Sequence, residues 1–220
     1  MKKVWVSGIV IVLMTMFLSF GTAHALAITS VLGSDVDGLF GAATYSFSDT
    51  FDFDPFTGPD GTIYSWVRPG IDAATLGNYL YLYQIVVNTA PPSSDVASGI
   101  TIPFLGLITS VNVGGSAAAD ESMYISDSTG IKTPSLADFS FGELTFIFLP
   151  KIGYGESSKV FGVISSLPPA IVPSGVLDNG SLDTANVFAP GSVTEPTTLL
   201  LLGSGLIGVG ILGRKRFKKR

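Results

Sequence analysis

The sequence predicts an all-β protein: a β-sandwich body flanked by an N-terminal signal peptide and one C-terminal hydrophobic helix. Three observations carry that expectation. The body is rich in Gly, Ser, Thr, Phe and Tyr and shows no long apolar pattern at the helical period. Its short apolar runs are separated by turn chemistry: Gly58-Pro59-Asp60-Gly61, Pro69-Gly70, Ala90-Pro91-Pro92-Ser93, Pro168-Pro169 and Asn179-Gly180. Each end carries an uncharged apolar run beside a basic cluster.

The first element is the leader. Met1-Lys2-Lys3 is basic, Val4 to Phe20 is mostly apolar, and Ala23-His24-Ala25 has the small-x-small pattern that signal peptidase cleaves. Cleavage is expected after Ala25, with Ala23 and Ala25 as the recognised pair. Residues 1–25 are thus a signal peptide, 26–192 an extracellular domain and 193–220 a separate C-terminal unit.

In the body the strand candidates are 43–47, 62–68, 79–88, 100–113 with a break at Pro103 or Gly106, 138–149 and 159–165. One short helix is expected over 116–123. Near Gly142, a bulge or hairpin break is expected to bring Phe139, Phe141, Leu144, Phe146 and Phe148 to the core face. The run 79–87 has two usable faces. If Leu80 and Leu82 face the core, Tyr79, Tyr81 and Tyr83 form an outer ladder. With Tyr64 and Trp66 they would make an aromatic platform suited to stacking on sugar rings. The other reading is cross-strand packing that covers a sheet face.

Charge narrows the partners. The body from Leu26 to Val193 has four cations against sixteen anions, a net −12, whereas the whole chain stands at −5. Such a body repels nucleic acid and anionic lipid. Residue types narrow the chemistry further. There is no Cys, and the one His, His24, falls in the leader. The mature body therefore holds no Ser-His-Asp triad, no Cys nucleophile, no thiolate or imidazole zinc site and no disulfide. A non-enzymatic protein without a resident cofactor is expected. Weak calcium candidates are Asp49, Asp52, Asp54 and Asp60, whose spacing departs from the EF-hand because a third acidic ligand is absent and Pro55 interrupts. Two carboxylates could in principle hydrolyse a glycoside, but no Asp or Glu stands out by its context.

The run 197–213 is uncharged and about 25 Å long as a helix, at the short end of what spans a bilayer. Six of residues 214–220 are Lys or Arg, which places that end in the cytoplasm. Gly203, Gly205 and Gly208 fit G-x-G-x-x-G, but neither a strand nor a following acidic residue frames them, so no dinucleotide site is expected.

Val193-Thr194-Glu195-Pro196, the apolar run and the basic end together resemble the PEP-CTERM sorting signal of Gram-negative bacteria. Position 194 is Thr where that family usually has its first Pro; Glu195 and Pro196 are retained. The resemblance implies a precursor held transiently in the inner membrane, processed by exosortase and passed to the cell surface or beyond. It also implies association with exopolysaccharide or biofilm. The Tyr-rich 79–89 and the stretch 155–169 loosely resemble other bodies of that family, which implies an Ig-like sandwich.

Overall fold

The computed structural model describes residues 24–53, 58–89, 96–113, 121–178 and 181–191. Most of the leader, the motif at Val193–Pro196, the apolar run 197–213, Asp54 and the Asn179-Gly180 turn lie outside the described residues. No helix among the described residues is long and apolar enough to cross a membrane.

Among the described residues, twelve strands form two six-stranded sheets. In chain order they are β1 (His24–Leu26), β2 (Ile28–Val31), β3 (Tyr45–Phe51), β4 (Gly61–Pro69), β5 (Tyr79–Val87) and β6 (Ala97–Pro103). Then follow β7 (Ser122–Ile125), β8 (Leu136–Ser140), β9 (Glu143–Ile152), β10 (Val160–Ser165), β11 (Pro169–Leu177) and β12 (Leu182–Pro190). One helix, α1 (Gly33–Leu39), follows β2. The first sheet runs β1-β8-β9-β6-β11-β12 and the second β2-β7-β10-β5-β4-β3. All named pairings are antiparallel except β2 with β7. The sandwich is shown. Its strand count exceeds the seven or nine of immunoglobulin domains.

Alternation explains which residues face inward. Ile63, Ser65 and Val67 of β4 are buried while Tyr64 between them is exposed. Leu144, Phe146 and Phe148 of β9 are buried on the same face. Phe146 and Phe161 meet at 4.7 Å between ring centroids, and Phe148 meets Phe161 at 5.3 Å, so the core is aromatic at its centre. Gly162 of β10 lies opposite Leu82, and a Cβ there would stand 1.9 Å from the Tyr81 carbonyl oxygen; only glycine permits that approach.

The two sheets join along both long sides. On one, β1 passes directly into β2 through Ala27, so one short stretch of chain serves both sheets. On the other, β12 lies against β3 and β4. There Asp49 bonds Asn186, and the Ser65 hydroxyl accepts the Phe188 N–H at 3.1 Å.

Several expectations need correction. Of the two readings at Gly142, the hairpin break stands and the bulge inside one strand does not. Phe141 and Gly142 form a two-residue turn with φ of 53° and 79°, both left-handed as a type I′ turn requires. Phe141 is consequently exposed instead of joining the core, while Phe139 packs against it. Within the expected helix 116–123, Ser122 and Met123 are strand residues of β7; the residues before 121 lie outside those described. The break at Pro103 stands, since β6 stops there.

Candidate functional site

The sequence singled out five aromatic residues, and the structure divides them. Tyr64 and Trp66 point outward from β4. Their rings stack with centroids 5.9 Å apart and planes 9° apart. Ser46 and Ser48 of β3 sit directly across from Trp66 and Tyr64. These four and Phe47 line a shallow surface recess of about 410 Å³. On the other flank, β5 places Leu82 opposite Trp66 and Gln84 opposite Tyr64. The Gln84 amide donates to the Ser158 and Thr129 carbonyls, both at 3.0 Å, and is thereby fixed. Trp66 packs part of its ring against an apolar cluster that includes Val36 of α1, Leu80 and Leu82. Tyr64 remains 38% exposed, so its face is the more open of the two.

Tyr81 and Tyr83 do not form an outer ladder. Both are fully buried in the main core. The Tyr81 hydroxyl donates to the Leu167 carbonyl at 2.7 Å and that of Tyr83 to the Phe188 carbonyl at 2.8 Å. Burial pushes both phenols upward from their ordinary value. Tyr79 is half-buried on the same inward face. The physical reason is that β5 is an inner strand with both faces covered. Its leucine face lies under α1 and residues 111–113, while its tyrosine face looks across to the other sheet. A strand apolar on both faces is the signature of such double covering. That signal was present in 79–87.

The acidic loop is occupied with backbone chemistry. Asp49 accepts both N–H groups of Asn186, each at 2.8 Å, and the Thr50 N–H at 3.0 Å. Burial raises the Asp49 carboxyl, but the Asn186 and Thr50 bonds outweigh it and hold it below the usual carboxylate value. The Asp52 N–H donates to the Asp183 carboxylate. Buried Asp60 accepts the Phe53 N–H at 2.7 Å. Among the described residues no group of three or more acidic or His side chains converges as a metal site. Three of the body's four cations are in ion pairs: Arg68 with Asp37 at 2.6 Å, Lys132 with Glu156 at 3.0 Å and Lys151 with Asp178 at 3.2 Å. The fourth, Lys159, donates to the Ser128 carbonyl.

What the recess offers is one open aromatic face, a second ring behind it and two serine hydroxyls at its edge. That arrangement suits stacking and shallow hydrogen bonding.

No curated relative matches the chain, and no solved structure does. Residues 192–216 match the family described as the PEP-CTERM protein-sorting motif. That stretch contains Val193, Thr194, Glu195 and Pro196, so Thr at 194 does not prevent recognition of the pattern. The motif implies secretion with transient membrane anchoring and processing by exosortase, a membrane protease. The chain therefore carries a PEP-CTERM protein-sorting motif at residues 192–216, behind its β-sandwich body, and that motif supports sorting to the exosortase pathway.

Proposed function

We propose that the sandwich is a non-enzymatic surface or extracellular-matrix protein that works among exopolysaccharide or biofilm polymers, without a resident cofactor. The sorting motif supports this reading, because it implies secretion, and matrix polymers lie outside the cell. The signal peptide over residues 1–25, removed by signal peptidase, and a membrane helix over 197–213 belong to the same proposal. Sequence composition supports it: a body with no Cys, and no His beyond the leader, lacks the usual nucleophiles and bases of extracellular hydrolases.

The second reading is a carbohydrate-binding module, and the Tyr64–Trp66 recess favours it. Sugar rings present apolar faces that stack on an aromatic ring, with hydroxyls to spare for Ser46 and Ser48. Trp66 stacks behind Tyr64 and packs in part on the apolar cluster, so one open aromatic face remains and the recess suits one sugar residue at a time, in weak and repeated contact.

Binding of the purified body to a panel of polysaccharides tests both. Retention that is lost in Tyr64→Ala and Trp66→Ala, with folding intact by circular dichroism, identifies the recess as a glycan site. Retention unchanged in both variants leaves the matrix role and removes the module. Release of reducing sugar would replace both readings with a carboxylate-based glycan-active enzyme.

A further inference from the structure

One end of the sandwich is apolar, and it is the end at which the sorting segment begins. After β6, residues 104–108 leave the first sheet, cross the base of the sandwich and reach the second, where Ile108 bridges Ser165. Alternation holds through the crossing. Phe104 and Gly106 are buried and Ile108 packs on the core, while Leu105 and Leu107 are 64% and 81% exposed. The Phe104 N–H donates to the Gly142 carbonyl at 2.7 Å, so the hairpin tip with exposed Phe141 stands beside Leu105. Ser165 pairs with Tyr79, and Tyr79 with Pro69. The loop between those two residues, at the same end, exposes Ile71 and Leu76.

The chain also enters and leaves here. Pro190 pairs with Pro169, the Gly191 N–H donates to the Pro168 carbonyl, and a Cβ on Gly106 would stand 3.1 Å from Pro190. His24 pairs with Phe139, two residues from Phe141. Five residues separate Gly191 from Thr197, the start of the uncharged run. Fully extended, they reach about 20 Å. A body tethered that closely meets the bilayer at a high effective concentration, so individually weak contacts are populated.

We propose that this end, through Ile71, Leu76, Leu105, Leu107 and Phe141, rests in the outer interface of the membrane while the precursor is anchored. The proposal builds on the anchoring implied by the sorting motif. Exposed Leu and Phe on loops partition into the headgroup boundary. The same loops carry Asp72 and Glu143 and no cation, so the surface fits a zwitterionic bilayer better than an anionic one. Contact would hold the sandwich upright over the anchor and keep residues 192–196 close to the bilayer surface, within reach of a membrane protease. Phe141 fits this use. An aromatic residue at positive φ is costly, and a residue chosen for the turn alone would be Asn or Asp.

The absence of Cys makes the test clean. The full chain is placed in phosphatidylcholine vesicles as single-cysteine variants carrying an environment-sensitive fluorophore. Leu107→Cys and Phe141→Cys report the apolar end; Leu149→Cys and Leu182→Cys, also largely exposed, lie toward the other. A nitroxide on the lipid acyl chain should quench the first pair at least about twofold more than the second. Equal quenching at both ends, in chain that floats with the vesicles, overturns the proposal. A blue shift at 107 and 141 without quenching means that protein, such as a second copy, covers the surface, and equally overturns it. Chain that fails to float with the vesicles removes the anchoring itself, a distinct failure.

Discussion

Asp49 of β3 and Asn186 of β12 belong to different sheets, yet one carboxylate oxygen of Asp49 accepts both the backbone and the side-chain N–H of Asn186, each at 2.8 Å. This pair closes one long side of the sandwich. β3 and β12 are the edges of their sheets, and edges left unpaired invite aggregation.

The closure should be sensitive to acid. The Asp49 carboxyl is held low, so its contribution is present above the unfolded value of about 3.9 and is lost as pH falls through the lower folded value. Asp49→Asn should cost about 0.5–1 kcal/mol at neutral pH, the modest figure appropriate to a solvent-facing site. Denaturant unfolding at pH 7 and near pH 2 is the measurement. The two proteins should differ at pH 7 and converge in acid. A gap that persists unchanged in acid would mean the charge is not what matters.

Tyr83 and Phe188 form the matching link inside the sandwich. Tyr83→Phe keeps the ring but leaves the part-buried Phe188 carbonyl without its hydroxyl donor, a loss of about 1 kcal/mol in chemical denaturation. The raised phenols of Tyr81 and Tyr83 also predict an alkaline effect. Both stay protonated in the folded chain while the unfolded chain ionises near pH 10. Stability is therefore constant below that value and falls as pH rises above it. Absorbance titration of phenolate should show two tyrosines ionising only with unfolding, and the wild-type decline should be weaker in Tyr83→Phe.

Those two tyrosines show where sequence reading stops. β4, β5 and β9 are legible because branched and aromatic residues alternate or run together between turn residues. Nothing within 79–87 says which face is outside, because both are inside. The missing cover is α1, whose sequence Gly33-Ser34-Asp35-Val36-Asp37-Gly38-Leu39 is too poor in helix formers to announce itself. β11 escaped for a related reason: Pro168-Pro169 reads as a turn, and Pro173 interrupts the run that follows. Pro173 is tolerated because β11 pairs with β6 only from Gly175 to Leu177, so that strand asks nothing of residue 173. In the acidic loop, Asp49 and Asp60 accept backbone N–H groups, that of Asn186 coming from far along the chain, a role that spacing does not reveal. The aromatic pair on β4 was legible as a spacing of two on one strand. Its serine border on β3 depends on register, which spacing alone does not fix. The sorting segment was legible because its three elements are contiguous and ordered.

The N-terminus offers a sharper test. β1 spans the expected cleavage point: His24 and Ala25 precede it and Leu26 follows. Cleavage after Ala25 removes two of the three pairs with β8 and keeps Leu26, which belongs to the core. A chain beginning at Leu26 should therefore lose no more than about 1 kcal/mol against one beginning at Ala23, as expected for a frayed terminal strand. Leu26→Ala should cost about 2–3 kcal/mol in either. Intact mass of the exported protein locates the cut, and thermal melts compare the variants. A body that unfolds when begun at Leu26 would move the cleavage point upstream.

Phe141 and Gly142 allow stability and use to be separated. Both residues of this turn have positive φ, which glycine adopts freely and phenylalanine does not. Gly142→Ala should cost about 1 kcal/mol, although a Cβ there meets nothing within 4 Å, because the loss is conformational and not steric. Phe141→Asn should do the reverse and stabilise the soluble body by about 0.5–1 kcal/mol, since Asn-Gly is the favoured pair for this turn. The exposed ring contributes no core packing to offset that gain. If Phe141 is kept for contact with the bilayer, the same substitution should weaken that contact. The measurement is a paired one: urea unfolding of the soluble body, and lipid quenching at position 107 in the anchored full chain. A stabilised body with reduced quenching is the expected result. A destabilised Phe141→Asn body would show that the ring packs in the folded protein in a way its exposure does not suggest.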